Sequence, residues 1–290
     1  MTLILAMSKP EGIYLSADFR VTDVRNRQIL DDAAPKVLTV QFPPIEGGTR
    51  GLIAFTGLAR LLDGTPIMTW LRQTIRGVAQ FPDEVFAHLR ERLDRDIGPL
   101  GIGLIINALL VEGALGERRL FGGFTNLKQL EPGRPFVPQG QFEYLMQELH
   151  GPAFFANGSG TPAISPGDHE LIRHQLEVRP GAASEHMGLL AAINRRVSGK
   201  ARSVSPACHV AFQRAAPMQP GETDRQFGSL SKSFAKRGEQ APLVLPSLLG
   251  ALDLTELMED FIKNLEKWKE GEEFAVTDKD EMNRRIQRRP

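Results

Sequence analysis

The chain lacks most of the features that declare a function at first sight. It has one cysteine, Cys208, in 290 residues. No intramolecular disulfide can form, and the composition points to a reducing compartment. Charge of neither sign is in excess, since 35 Lys and Arg balance 35 Asp and Glu. There is therefore no global basic field for nucleic acid or a membrane surface, and neither is expected as a partner. No run approaches the roughly 20 apolar residues of a membrane span. The apolar stretch Leu3–Met7 is too short for a signal-peptide core and has no positive charge before it, so the expected location is the cytoplasm. Metal-ligand spacing is missing as well. His169 and His174 are five apart and share no helical face, and the adjacent Cys208 and His209 would project to opposite faces of a strand. Gly101-Ile102-Gly103 lacks the third glycine and the following helix of a dinucleotide loop. No metal and no cofactor is expected. What is present is 41% apolar residues, enough for a full core.

The informative stretch is Thr2 to Lys36. With Met1 removed, which is normal before a residue as small as Thr, Thr2 would carry a free α-amine beside its hydroxyl. An N-terminal Thr of this kind can supply its own base. Leu3–Met7 reads as a buried strand and Ile13–Asp18 as an alternating one. A three-residue loop, Pro10-Glu11-Gly12, would pair Lys9 with Ile13, Ile4 with Asp18 and Thr2 with Arg20. Thr2 and Asp18 would then share a face, whereas a two-residue loop would separate them. Lys36 opens the strand-like run Lys36–Phe42. Held between Asp18 and Thr2, it would lower the hydroxyl pKa, and Asp18 would keep it charged.

Further along, Leu58–Val78 reads as a helix, interrupted at Thr65-Pro66. A second helix starts near Phe81-Pro82 with the apolar stripe Val85, Phe86, Leu89, Leu93 and Ile97. Gly103–Val111 and Arg118–Phe124 read as strands, Phe142–Leu149 as a short helix, His169–Glu177 and Ala182–Val197 as helices, and Cys208–Gln213 as a late strand. Strands and helix pairs thus alternate in blocks, which argues for stacked sheets with helices outside. The chain divides into a core of residues 1–214, an extension of 215–270 with an amphipathic helix Leu254–Lys269, and a charged, flexible tail of 271–290.

The opening TLILAMSKPEGIYLSADFRVTD resembles that of proteasome β-type subunits and their bacterial relatives, members of the N-terminal nucleophile hydrolase superfamily. Thr2 and Asp18, sixteen apart in an A-D-x-R context, match that family's nucleophile and acid, and Lys36 matches its lysine with a small shift. Leu52–Phe55 running into Thr56-Gly57 resembles its strand-to-helix turn. Asn157-Gly158-Ser159-Gly160 resembles its G-S-G, and Ser198-Gly199 its late Ser-Gly. The resemblance covers roughly residues 2–214. It implies an α+β fold, a four-layer αββα sandwich, with a C-terminal extension outside it. It also implies a threonine-type hydrolase of amide, chiefly peptide, bonds. Thr2 would be the nucleophile, Asp18 and Lys36 its tuning groups, Gly57 the oxyanion donor, and Ser159 and Ser198 supporting groups. Val21, Leu38 and Phe55 would line the substrate pocket. It further implies a homo-oligomer, in a ring or an open helix, with any regulatory partner unspecified. One position departs from the pattern: Arg195 stands where the family has an Asp that orients the α-amine, and a cation cannot accept that hydrogen bond. An inactive assembly subunit is therefore the alternative reading, and a small-amide hydrolase a third.

Overall fold

The computed structural model describes residues 2–22, 28–42, 48–77, 81–113, 116–131, 134–177, 183–215, 229–234 and 246–259. Its first strands are β1 (Leu3–Lys9), β2 (Gly12–Asp18), β3 (Val21–Thr22), β4 (Ile29–Asp31), β5 (Val37–Gln41) and β6 (Arg50–Gly57). Helices α1 (Ile67–Ile75) and α2 (Pro82–Arg92) follow. The middle strands are β7 (Leu104–Glu112), β8 (Arg118–Lys128), β9 (Val137–Glu148) and β10 (Ala153–Gly158). Then come α3 (Pro166–Glu177), α4 (Ala183–Ser198), β11 (Cys208–Arg214), β12 (Ser229–Phe234), β13 (Ser247–Leu249) and β14 (Leu252–Asp253).

The β1–β2 hairpin turns on two residues, Pro10 and Glu11, with Lys9 opposite Gly12 and Ile4 opposite Ala17. The three-residue loop expected from Pro10-Glu11-Gly12 is thus corrected. Gly12 is a ladder residue rather than a turn residue because it pairs on both sides, with Lys9 in β1 and Arg214 in β11. A Cβ there would overlap the Phe212 ring and the Gln213 carbonyl, so the close approach of β11 requires glycine.

One sheet has the order β10-β1-β2-β11-β12 and the other β14-β13-β5-β6-β7-β8-β9. Alternate side chains of the central strands feed three apolar clusters. Leu3, Leu5, Met7, Tyr14, Val210 and Phe212 of the smaller sheet meet Ile172 of α3 and Met187, Leu190, Ile193 and Val197 of α4. Ile4, Ala6, Ile13, Leu15 and Ala17 meet Val37, Leu52, Ala54, Leu109, Val111 and Phe121 of the larger sheet. Leu38, Phe55, Ile106 and Leu110 meet Trp70 and Leu71 of α1 and Val85, Phe86 and Leu89 of α2. The fold is mixed α and β, mostly sheet. β1 and β2 are buried along their whole length, so the polar Ser16 and Asp18, which an alternating pattern would leave in water, are inside.

Other expectations are corrected too. Residues 58–66 are a loop closed by an Arg60–Pro66 bridge, and the helix begins only after Pro66, at its N-cap. Phe142–Leu149 is not a helix: most of it belongs to β9, which pairs with β8 over residues 143–148 and forms one edge of the larger sheet. The second helix extends beyond α2 through a π turn, Leu93–Ile97, which keeps Leu93 and Ile97 in the core.

Residues 246–253 are built into the larger sheet. β13 runs parallel to β5, Thr39 Oγ1 donates to Ser247 Oγ at 2.7 Å, and Arg72 of α1 meets Asp253 at 3.0 Å, both largely buried. Residues 254–259 are helical. The rest of the expected helix to Lys269, and the tail 271–290, lie outside the described residues. Among the described residues, no helix is long and apolar enough to cross a membrane.

Candidate active site

Thr2, Asp18 and Lys36 come together, and all three are buried, at 1%, 0% and 3% exposure. The route differs from the expected one. In the two-residue register Asp18 stands beside Leu3, out of phase with Thr2. Its carboxylate curls back to accept the N–H groups of Leu3 (3.1 Å), Arg20 (3.1 Å) and Ser205 (2.8 Å). Lys36 makes the link. Its Nζ donates to Thr2 Oγ1 and to the Arg20 carbonyl, and lies 3.5 Å from Asp18 Oδ1. Thr2 Oγ1 also donates to the Arg20 carbonyl at 3.4 Å. β5 delivers Lys36 from the larger sheet, while Thr2 and Asp18 come from the smaller one. The packing of the two sheets therefore assembles the trio.

Burial pulls the Lys36 pKa below the ordinary lysine value. The carboxylate of Asp18 opposes that shift, helped by Asp32 and Asp31. A buried ammonium with a weakened hold on its proton, touching a hydroxyl oxygen, favours the alkoxide and can exchange a proton with it. Three backbone N–H donors fix the orientation of the Asp18 carboxyl group.

Gly57 ends β6 in a left-handed conformation, φ 109°, and a Cβ there would overlap the Gly103 carbonyl. It lies two residues past Phe55, whose N–H donates to the Lys36 carbonyl at 3.3 Å. Ser159 shares a 2.8 Å hydrogen bond with Ser203 and follows Gly158, whose φ is 104°. A Cβ on Gly158 would overlap the Thr2 carbonyl oxygen, so β10 can approach Thr2 this closely only through glycine.

Ser198 donates to the Arg195 carbonyl within α4 at 2.7 Å and makes no hydrogen bond to the trio. Arg195 is exposed, while its neighbour Asn194 is fully buried and donates to the Ser205 carbonyl at 2.8 Å. The helix register thus turns Asn194, not Arg195, towards the loop that holds Asp18. Of the expected pocket residues, Val21 is half-buried on β3, and Leu38 and Phe55 are buried in the cluster under α1 and α2.

Sequence reasoning missed Arg20, Asp32, Asn194, Ser203 and Ser205. Arg20 entered only as the expected ladder partner of Thr2 and as a letter of A-D-x-R, and the serines sit in a loop, Arg202–Ser205, with no periodicity. Two other polar groups in β11 are chemically quiet. Burial pushes the Cys208 thiol up to about 12 and pulls His209 down to about 4, leaving a protonated thiol and a neutral ring near pH 7. Among the described residues, no cluster of three His, Cys, Asp or Glu is arranged to hold a metal.

No protein-family model matches the sequence, and no curated protein does. Among solved structures, the chain is similar to Anbu (ancestral beta-subunit) from Yersinia bercovieri, with 16% identity over 73% of this chain and 81% of that one, TM-score 0.45. It is also similar to an Anbu (Gly-1) mutant from Hyphomicrobium sp. strain MC1, with 15% identity over 95% of this chain and 100% of that one, TM-score 0.47. A third likeness is to the helical assembly of the Anbu complex from Pseudomonas aeruginosa, with 15% identity over 95% and 98%, TM-score 0.47. Likenesses this remote transfer no residue role to this chain.

Proposed function

We propose that the chain is a threonine-type N-terminal nucleophile hydrolase, built as a four-layer αββα sandwich and cleaving amide bonds, peptide bonds among them. The observation that carries the reading is the Lys36 ammonium seated on Thr2 Oγ1 and facing Asp18. The three apolar clusters, helix on sheet, sheet on sheet and sheet on helix, support the layered fold.

In this mechanism Met1 is first removed. The Thr2 α-amine takes the Oγ1 proton, and Lys36 stabilises the developing alkoxide. Oγ1 bonds to the substrate carbonyl carbon, and the oxyanion rests on the Gly57 N–H. The C–N bond then breaks, and the amine product leaves with the proton returned by the Thr2 ammonium. Water, deprotonated by the same amine, hydrolyses the remaining ester. Asp18 holds Lys36, and Ser159 supports the 202–205 loop through Ser203. Val21 borders an apolar side-chain pocket, with Leu38 and Phe55 in the core behind it. The enzyme works as a homo-oligomer.

The test is intact-protein mass spectrometry after incubation with a β-lactone or epoxyketone threonine probe, with sedimentation velocity on the same sample. The expected result is loss of Met1 and one adduct mapped to Thr2, absent from Thr2→Ala, on an assembled protein. A specific observation favours a second reading, that of an inactive assembly subunit: Thr2 is only 1% exposed. Retained Met1, or a free Thr2 that takes no adduct in the assembled protein, would decide for that reading.

A further inference from the structure

Arg20 touches all three members of the trio. Its N–H donates to Asp18, and its carbonyl accepts from both Thr2 Oγ1 and Lys36 Nζ. Its guanidinium grips Asp32 with two parallel hydrogen bonds, both 2.7 Å, and donates to the Arg202 carbonyl at 2.8 Å and the Val204 carbonyl at 3.2 Å. These contacts join three separate segments. Asp32 lies four residues before Lys36 and so fixes the approach to β5. The 202–205 loop carries Ser203, which bonds Ser159, and Ser205, whose N–H bonds Asp18. A planar guanidinium in a bidentate grip is a rigid spacer, which a lysine cannot imitate.

We propose that Arg20 and Asp32 form a positioning clamp that sets Lys36 and the 202–205 loop against Thr2. The clamp rests on the nucleophile reading for its catalytic meaning but not for its geometry. Neither residue touches the reacting atoms with its side chain; both act through Lys36. The charged groups that act on Lys36 are Asp18 on β2 and Asp31 and Asp32 ahead of β5, and the Arg20 guanidinium is tied to Asp32. Loss of the Asp32 charge removes one of the carboxylates that help Lys36 to hold its proton.

The experiment uses the full chain with Asp32→Asn, Asp32→Glu and Arg20→Lys. It reads two quantities: the rate of Thr2 labelling by a β-lactone against pH, and the titration of Lys36 Nζ by heteronuclear NMR. Because Asp32 is 44% exposed, Asp32→Asn is expected to fold. Its labelling should slow by about tenfold or more, as misplacement of a reacting group does. The Lys36 limb of the pH profile and the Lys36 titration should both move to lower pH. Asp32→Glu should restore both readouts, and Arg20→Lys should not. A purely structural contact would lower thermal stability and leave the pH profile of the folded protein unchanged, and that result in Asp32→Asn would overturn the proposal. Should the wild type take no label, the nucleophile reading fails, and the Lys36 titration still decides the clamp. A midpoint identical in wild type and Asp32→Asn would then reject it.

Discussion

Lys36 is the residue whose placement is hardest to explain by stability. A buried ammonium is costly even beside a carboxylate, and here burial outweighs the help that Asp18 gives it. Such a charge is what a site keeps for chemistry rather than for folding. Lys36→Met should therefore cut Thr2 labelling by about a hundredfold or more, as loss of a preorganised electrostatic group does. Asp18 would retain its three backbone N–H donors. Without its cation that carboxylate is only partly compensated, so the thermal midpoint should fall by roughly 6 °C or more in differential scanning calorimetry. A variant that unfolds instead would show that Lys36 holds the two sheets together. At this scale the sequence was informative in a limited way. Thr2, Asp18 and Lys36 could be named from residue type and order, because a hydroxyl, an acid and an amine are recognisable alone. Asn194 and Ser205 could not, because their role is to offer a backbone or amide group to a neighbour, which any sequence could do.

Among the elements, the segment carrying β13 and β14 has the most to show. By sequence it belongs to an extension outside the core. In the fold it covers the β5 edge, hydrogen-bonds Thr39, and caps itself with Asp253, which accepts the N–H of Thr255 at 3.0 Å. Asp253 and Arg72 pair at 3.0 Å with little solvent access. Removing one partner of a buried pair leaves an uncompensated charge, so Arg72→Met should destabilise by about 3–5 kcal/mol in urea titration. The double variant Arg72→Met/Asp253→Asn should recover most of that loss, since Asn keeps the cap without the charge. Additive losses would mean that the two residues are not coupled. The elements legible in the sequence were those whose pattern is local: the amphipathic α2, α3 and α4, and the apolar β1 and β7. β9 was misread because Phe142 to Leu149 has a helix-like apolar spacing, whereas its pairing with β8 fixes a strand that leaves Leu145 56% exposed.

Over the whole molecule, acid stability should follow His209. Its folded pKa is about 4, depressed by burial, against about 6.5 in an unfolded chain. The unfolded state then binds a proton that the folded state refuses. Stability is complete above about pH 6.5 and declines by about 3 kcal/mol as pH falls to about 4. The ring packs edge-on to Phe19 at 5.0 Å. His209→Phe should preserve that packing and flatten the decline between pH 6.5 and 4, read by urea unfolding at several pH values. An unchanged slope would place the titration elsewhere. The sequence by itself determined the chemistry available and the alternation of strand and helix blocks, because residue type and periodicity are local properties. Tertiary structure decided the rest. The hairpin register was set by β11 packing on Gly12, not by the turn residues. The meeting of Lys36 with Thr2 was set by two sheets sharing one apolar interface, a contact between segments with no local signal for each other. The inward turn of Asn194 rather than Arg195 was set by which face of α4 the smaller sheet buries.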